Sequence, residues 1–283
     1  MDKEALKEKQ QKPQENTPNN NYELLSSVRK GHDLTVRDDQ YDFPALLDGI
    51  RYCRRKGSRF RLVDSGVFER LQLEWLLKAG ADFYSSDEVR KDHKELEALL
   101  RSCLKQKSLM AFFIEGAIKE KEGSESLKFA DLVSLGMNGA YLYISNKENE
   151  RDLSLLEKLA DRCCSQGSRL VLYHHGALDP ALGAVGGKGA WIHLSSRSIE
   201  SEEDYPVLKD IVKSTRLSGA NLIFHLEKKL DYLLLSEIIK AGVYVLFDRI
   251  QIDYRSPLKE LEQAAARKKL DPHSYYLYPI SML

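Results

Sequence analysis

The feature that most constrains the fold of this chain is a regular alternation of short β-rich runs with stretches of helical spacing. Nine such runs occur after residue 32. A parallel neighbour needs a crossover connection, which is normally a helix, so the alternation predicts a parallel sheet. The runs are DLTV (33–36), FRLVDSG (60–66), ADFYSSD (81–87), LMAFFIEG (109–116), AYLYISN (140–146), RLVLYHHG (169–176), AWIHLSS (190–196), NLIFHLE (221–227) and VYVLFDR (243–249).

Eight strong runs favour closure of the sheet, because a closed barrel leaves no exposed strand edge. The predicted fold is α/β, a (β/α)8 TIM-like barrel of parallel strands. DLTV is short and precedes the polar turn RDDQYD, so it is treated as an extra strand or a lid. The alternative is an open doubly wound parallel sheet. The chain contains neither GxGxxG nor GxxxxGK[ST] after its first strands, which weakens the nucleotide-binding versions of that alternative.

Two segments between runs repeat each other. Residues 233–242, LLLSEIIKAG, echo Leu71, Leu73, Lys78, Ala79 and Gly80 in an earlier segment that ends at the same Lys-Ala-Gly. Each segment has apolar residues at helical spacing and is followed at once by a strand. The echo indicates a repeated α/β unit and carries no information about chemistry.

The chain divides into a polar tail and one domain. Residues 1–21 are rich in Lys, Glu, Gln, Asn and Pro and predict a disordered tail, which could also link the protein to a protein partner. Residues 22–283 predict a single α/β barrel domain, since such barrels are often about 250 residues long.

The charge balance and the absence of targeting signals limit the partners. The chain has 43 basic and 43 acidic side chains, so its formal net charge is zero and no nucleic acid partner is expected. The N-terminal MDKEALKEKQ lacks an apolar signal region, and no apolar run reaches the roughly 20 residues that cross a bilayer. We therefore expect a cytoplasmic protein without a membrane partner. Its four cysteines show no CxxC spacing and predict reduced thiols.

The segment from 183 to 189, GAVGGKG, is too rich in glycine for a good helix. Its glycines and Lys188 could surround a phosphate, but the spacing does not match Walker A. We predict a flexible connector, in which one helical turn could form.

Polar residues end nearly every predicted strand. In a parallel α/β barrel the site lies at the carboxyl ends of the strands, where the loops converge. The same residue types also cap helices and face water, which explains many of them without a site. The strand-end residues are Asp64, Ser65, Ser86, Asp87, Glu115, Ser145, Asn146, His174, His175, Ser195, Ser196, Glu227, Asp248 and Arg249.

The two-residue period of strands selects among these side chains. Leu222, Phe224 and Leu226 form an apolar set that should face the helices, which places His225 and Glu227 in the lumen. The same argument places His193 with Ser195, and His174 with Leu172, facing inwards. His174 and His175 are adjacent and face opposite sides, so they cannot share one small ligand unless the chain bends at Gly176.

The candidate catalytic residues are His174, His193, His225, Glu115 and Glu227. Together with Asp64 and Asp248 as candidate metal ligands, they could hold a divalent metal that activates water, or act as general acid and base. A metal-dependent amidohydrolase would show an HxH pair on its first strand, and FRLVDSG has none. The alternative is that these histidines are hydrogen-bonded core residues without a catalytic or metal-binding role.

Two classes of function remain open. One is a metal- or acid/base-assisted hydrolase or lyase that acts on a small polar substrate at the carboxyl-end mouth. The other is a non-catalytic barrel that serves as a binding or scaffold module. The resemblance to (β/α)8 barrels is architectural and covers about residues 58 to 270, so it implies a layout and not an activity.

Overall fold

The structure is a computed structural model that describes residues 18–118, 128–165, 167–228 and 230–247. Helices and strands alternate along the whole of this part of the chain. The helices are α1 (Pro18–Arg29), α2 (Phe43–Lys56), α3 (Arg70–Ala79), α4 (His93–Lys105), α5 (Phe129–Met137), α6 (Leu153–Cys164), α7 (Leu182–Gly187), α8 (Asp204–Leu217) and α9 (Tyr232–Lys240). The strands are β1 (Leu34–Arg37), β2 (Phe60–Val63), β3 (Asp82–Ser86), β4 (Met110–Ile114), β5 (Tyr141–Ser145), β6 (Arg169–His174), β7 (Trp191–Ser195), β8 (Leu222–Leu226) and β9 (Tyr244–Phe247).

All nine strands belong to one parallel sheet whose spatial order follows the sequence from β1 to β9. Each strand pairs with the next one, from β1 with β2 to β8 with β9. In the described ranges no ladder joins β9 to β1. Sequential order with a helical crossover at every step is the layout of a TIM barrel, and the predicted α/β TIM-like fold is confirmed.

The position of the helices excludes the doubly wound alternative. Every described helix contributes buried residues to one apolar cluster on the outer face of the sheet, for example Leu46 of α2 and Leu159 of α6. The inner face has a separate cluster made only of strand and loop residues. A doubly wound sheet carries helices on both faces, whereas a barrel carries them only outside.

The first strand is a full member of the sheet. Leu34 to Arg37 pair in register with Phe60 to Val63, so DLTV is an extra strand and not a lid. Helix α1 includes residues 18–21, which the sequence analysis assigned to the polar tail, and Asn21 donates a hydrogen bond from its amide to the carboxylate of Asp42. Residues 1–17 lie outside the described residues, and the tail remains a prediction there.

The echo between the two repeated segments extends to three dimensions. Leu73 in α3 and Leu235 in α9 are both fully buried, whereas Leu71 and Leu233 are 61% and 70% exposed. Both helices lead into a glycine in the left-handed region, with φ of 111° at Gly80 and 100° at Gly242. The same spacing therefore turns the same side of each helix towards the sheet.

The glycine-rich segment forms a helix and not a flexible connector. Leu182–Gly187 make up α7, which packs against α8. A Cβ atom at Gly186 would lie 2.2 Å from the hydroxyl oxygen of Thr215, so only glycine fits this contact. Glycine lowers the intrinsic helix propensity here, but the close packing that it permits compensates.

Two further expectations can be compared with the described residues. Cys53, Cys103, Cys163 and Cys164 are all free thiols, as predicted. Among the described helices, none combines the length and the apolar character that a bilayer crossing needs.

Candidate functional site

Aromatic and imidazole side chains fill the inner face of the sheet. Phe113 on β4 stacks on Tyr143 on β5 with centroids 4.8 Å apart, and Tyr173 on β6 stacks on His193 on β7 at 4.0 Å. All four side chains are buried. The interior is therefore a packed layer and not a channel, and a ligand has to bind above it, at the carboxyl ends of the strands.

His193 and His225 lie side by side on the inner face, as the strand period predicted. Nδ1 of His193 is 2.9 Å from Nε2 of His225, which is a hydrogen bond between the two imidazoles. Burial, followed by the neighbouring His225, lowers the pKa of His193 well below its ordinary value. His193 is therefore neutral at physiological pH and fits a packing and hydrogen-bonding role.

The prediction that His174 points into the lumen is wrong. His174 pairs in register with Leu194, which belongs to the outer cluster, and Tyr173 takes the inward position on β6. The ring nitrogens of His174 contact the Asn146 side-chain amide at 3.2 Å and the Ala177 carbonyl at 2.8 Å. His174 can lie on the outer side because these partners replace the water that its ring loses.

Asp64 does not fit a metal ligand. Its carboxylate accepts two hydrogen bonds from Arg90, at 2.6 and 3.0 Å, and others from the Ser85 hydroxyl and the Gly66 N–H. The Asp64 and Arg90 side chains are 0% and 8% exposed. A carboxylate that is saturated by donors in this way has no oxygen left to offer a cation.

Asp38, which follows β1, is a buried acid that the sequence analysis did not identify. Its Oδ1 accepts hydrogen bonds from the N–H and the hydroxyl of Ser65. Its Oδ2 is buried without a hydrogen-bond partner in the described part of the chain. Burial first, with a contribution from the nearby Asp64, raises the pKa of Asp38 to about 6.

The main chain at the end of β4 is held from both sides. The Asp87 carboxylate accepts hydrogen bonds from the N–H groups of Glu115 and Gly116, at 2.8 and 3.0 Å. Arg151 donates to the carbonyl groups of Ile114 and Glu115, both at 2.9 Å, and to that of Gly116. Arg151 also donates to the carbonyl of Ser145, at the end of β5, at 2.7 Å.

These bonds fix the backbone of Glu115 and leave its carboxyl group at the rim of the strand-end mouth. The residue is half-buried. Burial raises the pKa of Glu115 above its ordinary value, Asp87 and Glu88 add to the rise, and the positive charge of Arg151 opposes it. A carboxyl group with a raised pKa on a fixed main chain is a common feature of a general acid or base.

His175 is the imidazole that the structure brings to the same rim. It follows β6 with its backbone N–H bonded to the Asn146 side chain at 2.6 Å. The residue is exposed, yet partial burial of its ring, together with the charge of Lys147, lowers its pKa. Glu227 acts on His175 in the opposite direction.

Glu227 also lies at this rim, but its carboxylate already binds two side chains of the protein. Its Oε2 accepts a hydrogen bond from the Ser195 hydroxyl at 2.8 Å and lies 3.0 Å from Nε of Arg197. The prediction that His225 and Glu227 follow one another on the inner side of β8 is consistent with the pairing of Ser195 with His225.

The predicted metal ligands that lie in the described ranges do not come together around one point. Within the described ranges there is no group of three or more His, Cys, Asp or Glu side chains suited to a metal ion. The facing nitrogens of His193 and His225 bond to each other, and Asp64 is bound by Arg90. Asp248 and Arg249 lie outside the described residues, so the role of Asp248 remains a prediction.

The residues that sequence reasoning missed act on the main chain or on other charges. Arg151 lies in a loop six residues after Ser145, and Arg90 lies in the loop between β3 and α4. No periodic pattern marks either residue. His175 could have been identified from the strand period, because it is two residues after the inward Tyr173.

Comparisons with known proteins give structural neighbours only. No protein-family model matches the chain, and no curated protein sequence matches it. The chain is similar to the deoxyribose phosphate aldolase of Aeropyrum pernix, with 13% identity over 73% of this chain and 91% of that chain and a TM-score of 0.31. It is also similar to an HpcH/HpaI aldolase of Desulfitobacterium hafniense, with 12% identity over 89% and 90% of the two chains and a TM-score of 0.31.

A further neighbour is an HpcH/HpaI aldolase/citrate lyase family protein of Burkholderia cenocepacia, with 10% identity over 88% of this chain and 91% of that chain and a TM-score of 0.28. Similarity at this level transfers no activity. The assignment of a TIM-like α/β layout to this chain therefore depends on its own strand order and on the position of its helices.

Proposed function

We propose that this protein is an acid/base-assisted lyase or hydrolase acting on a small polar substrate at the carboxyl-end mouth of the sheet. Glu115 and His175 would be the acid and the base, and Glu227 would line the same mouth. The observation that carries the proposal is the opposite perturbation of two rim groups: the pKa of Glu115 is raised and the pKa of His175 is lowered. The two shifts bring the pKa values of the carboxyl group and the imidazole closer together, so that a proton can pass between either group and a bound substrate with a smaller free-energy difference.

The geometry of the rim supports the same proposal. Glu115 follows β4 and His175 follows β6, two strands further along the sheet. Neighbouring strands are about 4.8 Å apart, so the two backbones are separated by roughly 10 Å. A small substrate can span that distance and contact one group at each end.

The experiment is a turnover assay on a panel of small hydroxy acids, 2-oxo acids and esters, followed by NMR. A substrate of the proposed class would show a bell-shaped pH profile, and Glu115→Gln or His175→Asn would each reduce kcat about 100-fold or more. Asp210→Asn and His32→Asn are matched controls, since both residues are exposed and lie away from the strand ends. Equal activity in Glu115→Gln and the parent protein would contradict the proposal.

The second candidate is a binding or scaffold module without turnover. It is favoured because many strand-end side chains bind other groups of the protein and not a ligand. Arg90 saturates the Asp64 carboxylate, Asp87 binds main-chain N–H groups, and the Ser196 hydroxyl accepts hydrogen bonds from two further main-chain N–H groups. If no compound of the panel is turned over, a pull-down with the full chain and with a variant lacking residues 1–17, which leaves α1 intact, tests this alternative. Loss of a captured partner on deletion would support it.

A further inference from the structure

A groove between α8 and α9 lies away from the proposed mouth. Helices in a parallel α/β sheet run opposite to the strands, so the C-terminal halves of α8 and α9 lie near the amino ends of the strands. The groove encloses about 650 Å³ between these halves, a volume in the range of small-molecule sites. Its lining residues are Lys209, Val212, Lys213, Arg216, Leu217, Glu237, Ile238 and Ala241.

The two ends of the groove are closed by polar contacts between the helices. Nζ of Lys209 lies 2.5 Å from the carboxylate of Glu237, and the Arg216 guanidinium donates to the carbonyl of Ala241 at 3.0 Å. Lys209 and Arg216 are seven residues apart on α8, or about 10 Å along the helix axis. The groove is thus bounded at its two ends, while its outer side stays open to solvent.

Between the two ends the groove combines an apolar surface with the ammonium group of Lys213, and the guanidinium of Arg216 at one end adds a charge that is bonded to a main-chain carbonyl. Val212 and Ile238 are buried against the core below it, and Leu217 is 79% exposed at its edge. Lys213 is exposed, and no acid of the described chain lies within ion-pair distance of its ammonium group. An apolar surface beside an uncompensated cation complements an anion that carries an apolar body.

We propose that the α8–α9 groove binds an anionic amphiphile, a carboxylate on an aliphatic chain of medium length, with Lys213 as the counter-ion of the carboxylate. The chain lies along Val212 and Ile238 and is covered by Leu217. The distance between the closed ends limits its length. This site is independent of the mouth at Glu115.

Titration calorimetry of the full-length protein with sodium octanoate tests the proposal. We expect saturable binding of one octanoate, with hexanoate weaker by about fourfold for each missing methylene group, because that is the effect of burying one CH₂. Octan-1-ol, which has the chain without the charge, should bind less tightly than octanoate. Non-saturable uptake, or equal affinity for hexanoate and octanoate, would overturn the proposal.

Two variants separate the charge from the apolar surface. Lys213→Gln should weaken octanoate about three- to fivefold, the usual effect of one exposed ion pair, and Leu217→Gln should reduce the dependence on chain length. Both residues are exposed, so both variants should fold. Lys240→Gln, an exposed lysine of α9 outside the groove, is the matched control. If Lys213→Gln and Lys240→Gln have the same effect, Lys213 is not the counter-ion and the site assignment is wrong.

Discussion

Asp64 and Glu115 occupy equivalent places in the repeat, one residue after β2 and one residue after β4, and the fold uses them in opposite ways. Each has an arginine nearby. Arg90 binds the Asp64 carboxylate itself with two hydrogen bonds, whereas Arg151 binds the main-chain carbonyl groups around Glu115. The hydrogen bonds at β2 therefore go to the carboxylate of Asp64, whereas those at β4 go to the main chain around Glu115 and not to its carboxyl group.

The comparison shows why a strand-end acid is not by itself evidence of a site. What distinguishes the two residues is the target of the arginine, and that depends on where a loop places it. Arg90 also reaches the Glu95 carboxylate and the Phe68 carbonyl, both at 2.7 Å. The Asp64 pocket is therefore a closed network, and its loss should be the larger perturbation.

Replacement of Arg90 should have the largest effect. Arg90→Met removes the partner of a fully buried carboxylate, and we expect a loss of about 3–5 kcal/mol in the free energy of unfolding, measured by urea denaturation. Arg70→Met is the matched control, because Arg70 forms an exposed ion pair with Glu74 at 3.5 Å and should cost less than about 1 kcal/mol. Similar losses in the two variants would show that the Asp64 pocket is not structural.

The buried acid next to this pocket should make stability depend on pH. The pKa of Asp38 is about 6 in the folded chain against 3.8 as the ordinary value, so the folded state binds the proton more tightly. The Asp38 contribution to the free energy of unfolding is therefore full below about pH 4 and is lost as the pH rises through about 6. The loss should be of the order of 2–3 kcal/mol.

Comparison of the parent protein with Asp38→Asn isolates this effect, because the other titrating groups are common to both. Urea denaturation at about pH 4.5 and about pH 7.5 should show the parent losing stability relative to the variant as the pH rises. A constant difference between the two proteins at both pH values would contradict the assignment of a buried, proton-binding Asp38.

The features of the fold that depend on hydrophobic periodicity could be predicted from the sequence. Eight of the nine strands, their parallel pairing and the inward direction of His193 and His225 follow from alternation and from the two-residue period, whereas for β1 the sequence leaves an extra strand or a lid open. The two-residue period predicts the wrong side of the sheet for His174 on β6. That prediction requires an apolar side chain at every buried outer position, whereas His174 occupies one because Asn146 and Ala177 provide hydrogen-bond partners, which no sequence pattern indicates.

The candidate site was less predictable because its organisation depends on loops. The position of Glu115 at a strand end predicts it as a candidate catalytic residue. The hydrogen bonds that hold its main chain, here called the clamp, come from Asp87 at the end of β3 and from Arg151 beyond β5. No spacing in the sequence relates residues 87, 115 and 151. The α7 helix was missed for a similar reason, since its glycines are explained by the contact of Gly186 with Thr215 in another helix.

Replacement of Arg151 tests the second half of the comparison and should destabilise the protein less than the changes at Arg90 and Asp38. Arg151→Gln removes hydrogen bonds to carbonyl groups that can partly be replaced by water at the rim, so we expect a cost of about 1–2 kcal/mol, less than for Arg90→Met. The result that distinguishes an electrostatic role of Arg151 from a purely structural one is a change in the pKa of Glu115. Since the charge of Arg151 holds the pKa of Glu115 down against burial, its removal should raise the pKa of Glu115 further.

The pKa of Glu115 can be followed from the carbon chemical shift of its carboxyl group in NMR titrations of the parent and variant proteins. Arg197→Gln is the control, because Arg197 contacts Glu227 at the same mouth and should leave the pKa of Glu115 unchanged. Asp87→Asn should lower the pKa of Glu115, since Asp87 is one of the charges that raise it. If Arg151→Gln and Asp87→Asn destabilise the protein without moving the Glu115 titration, the clamp is only structural, and Glu115 is then no different from Asp64.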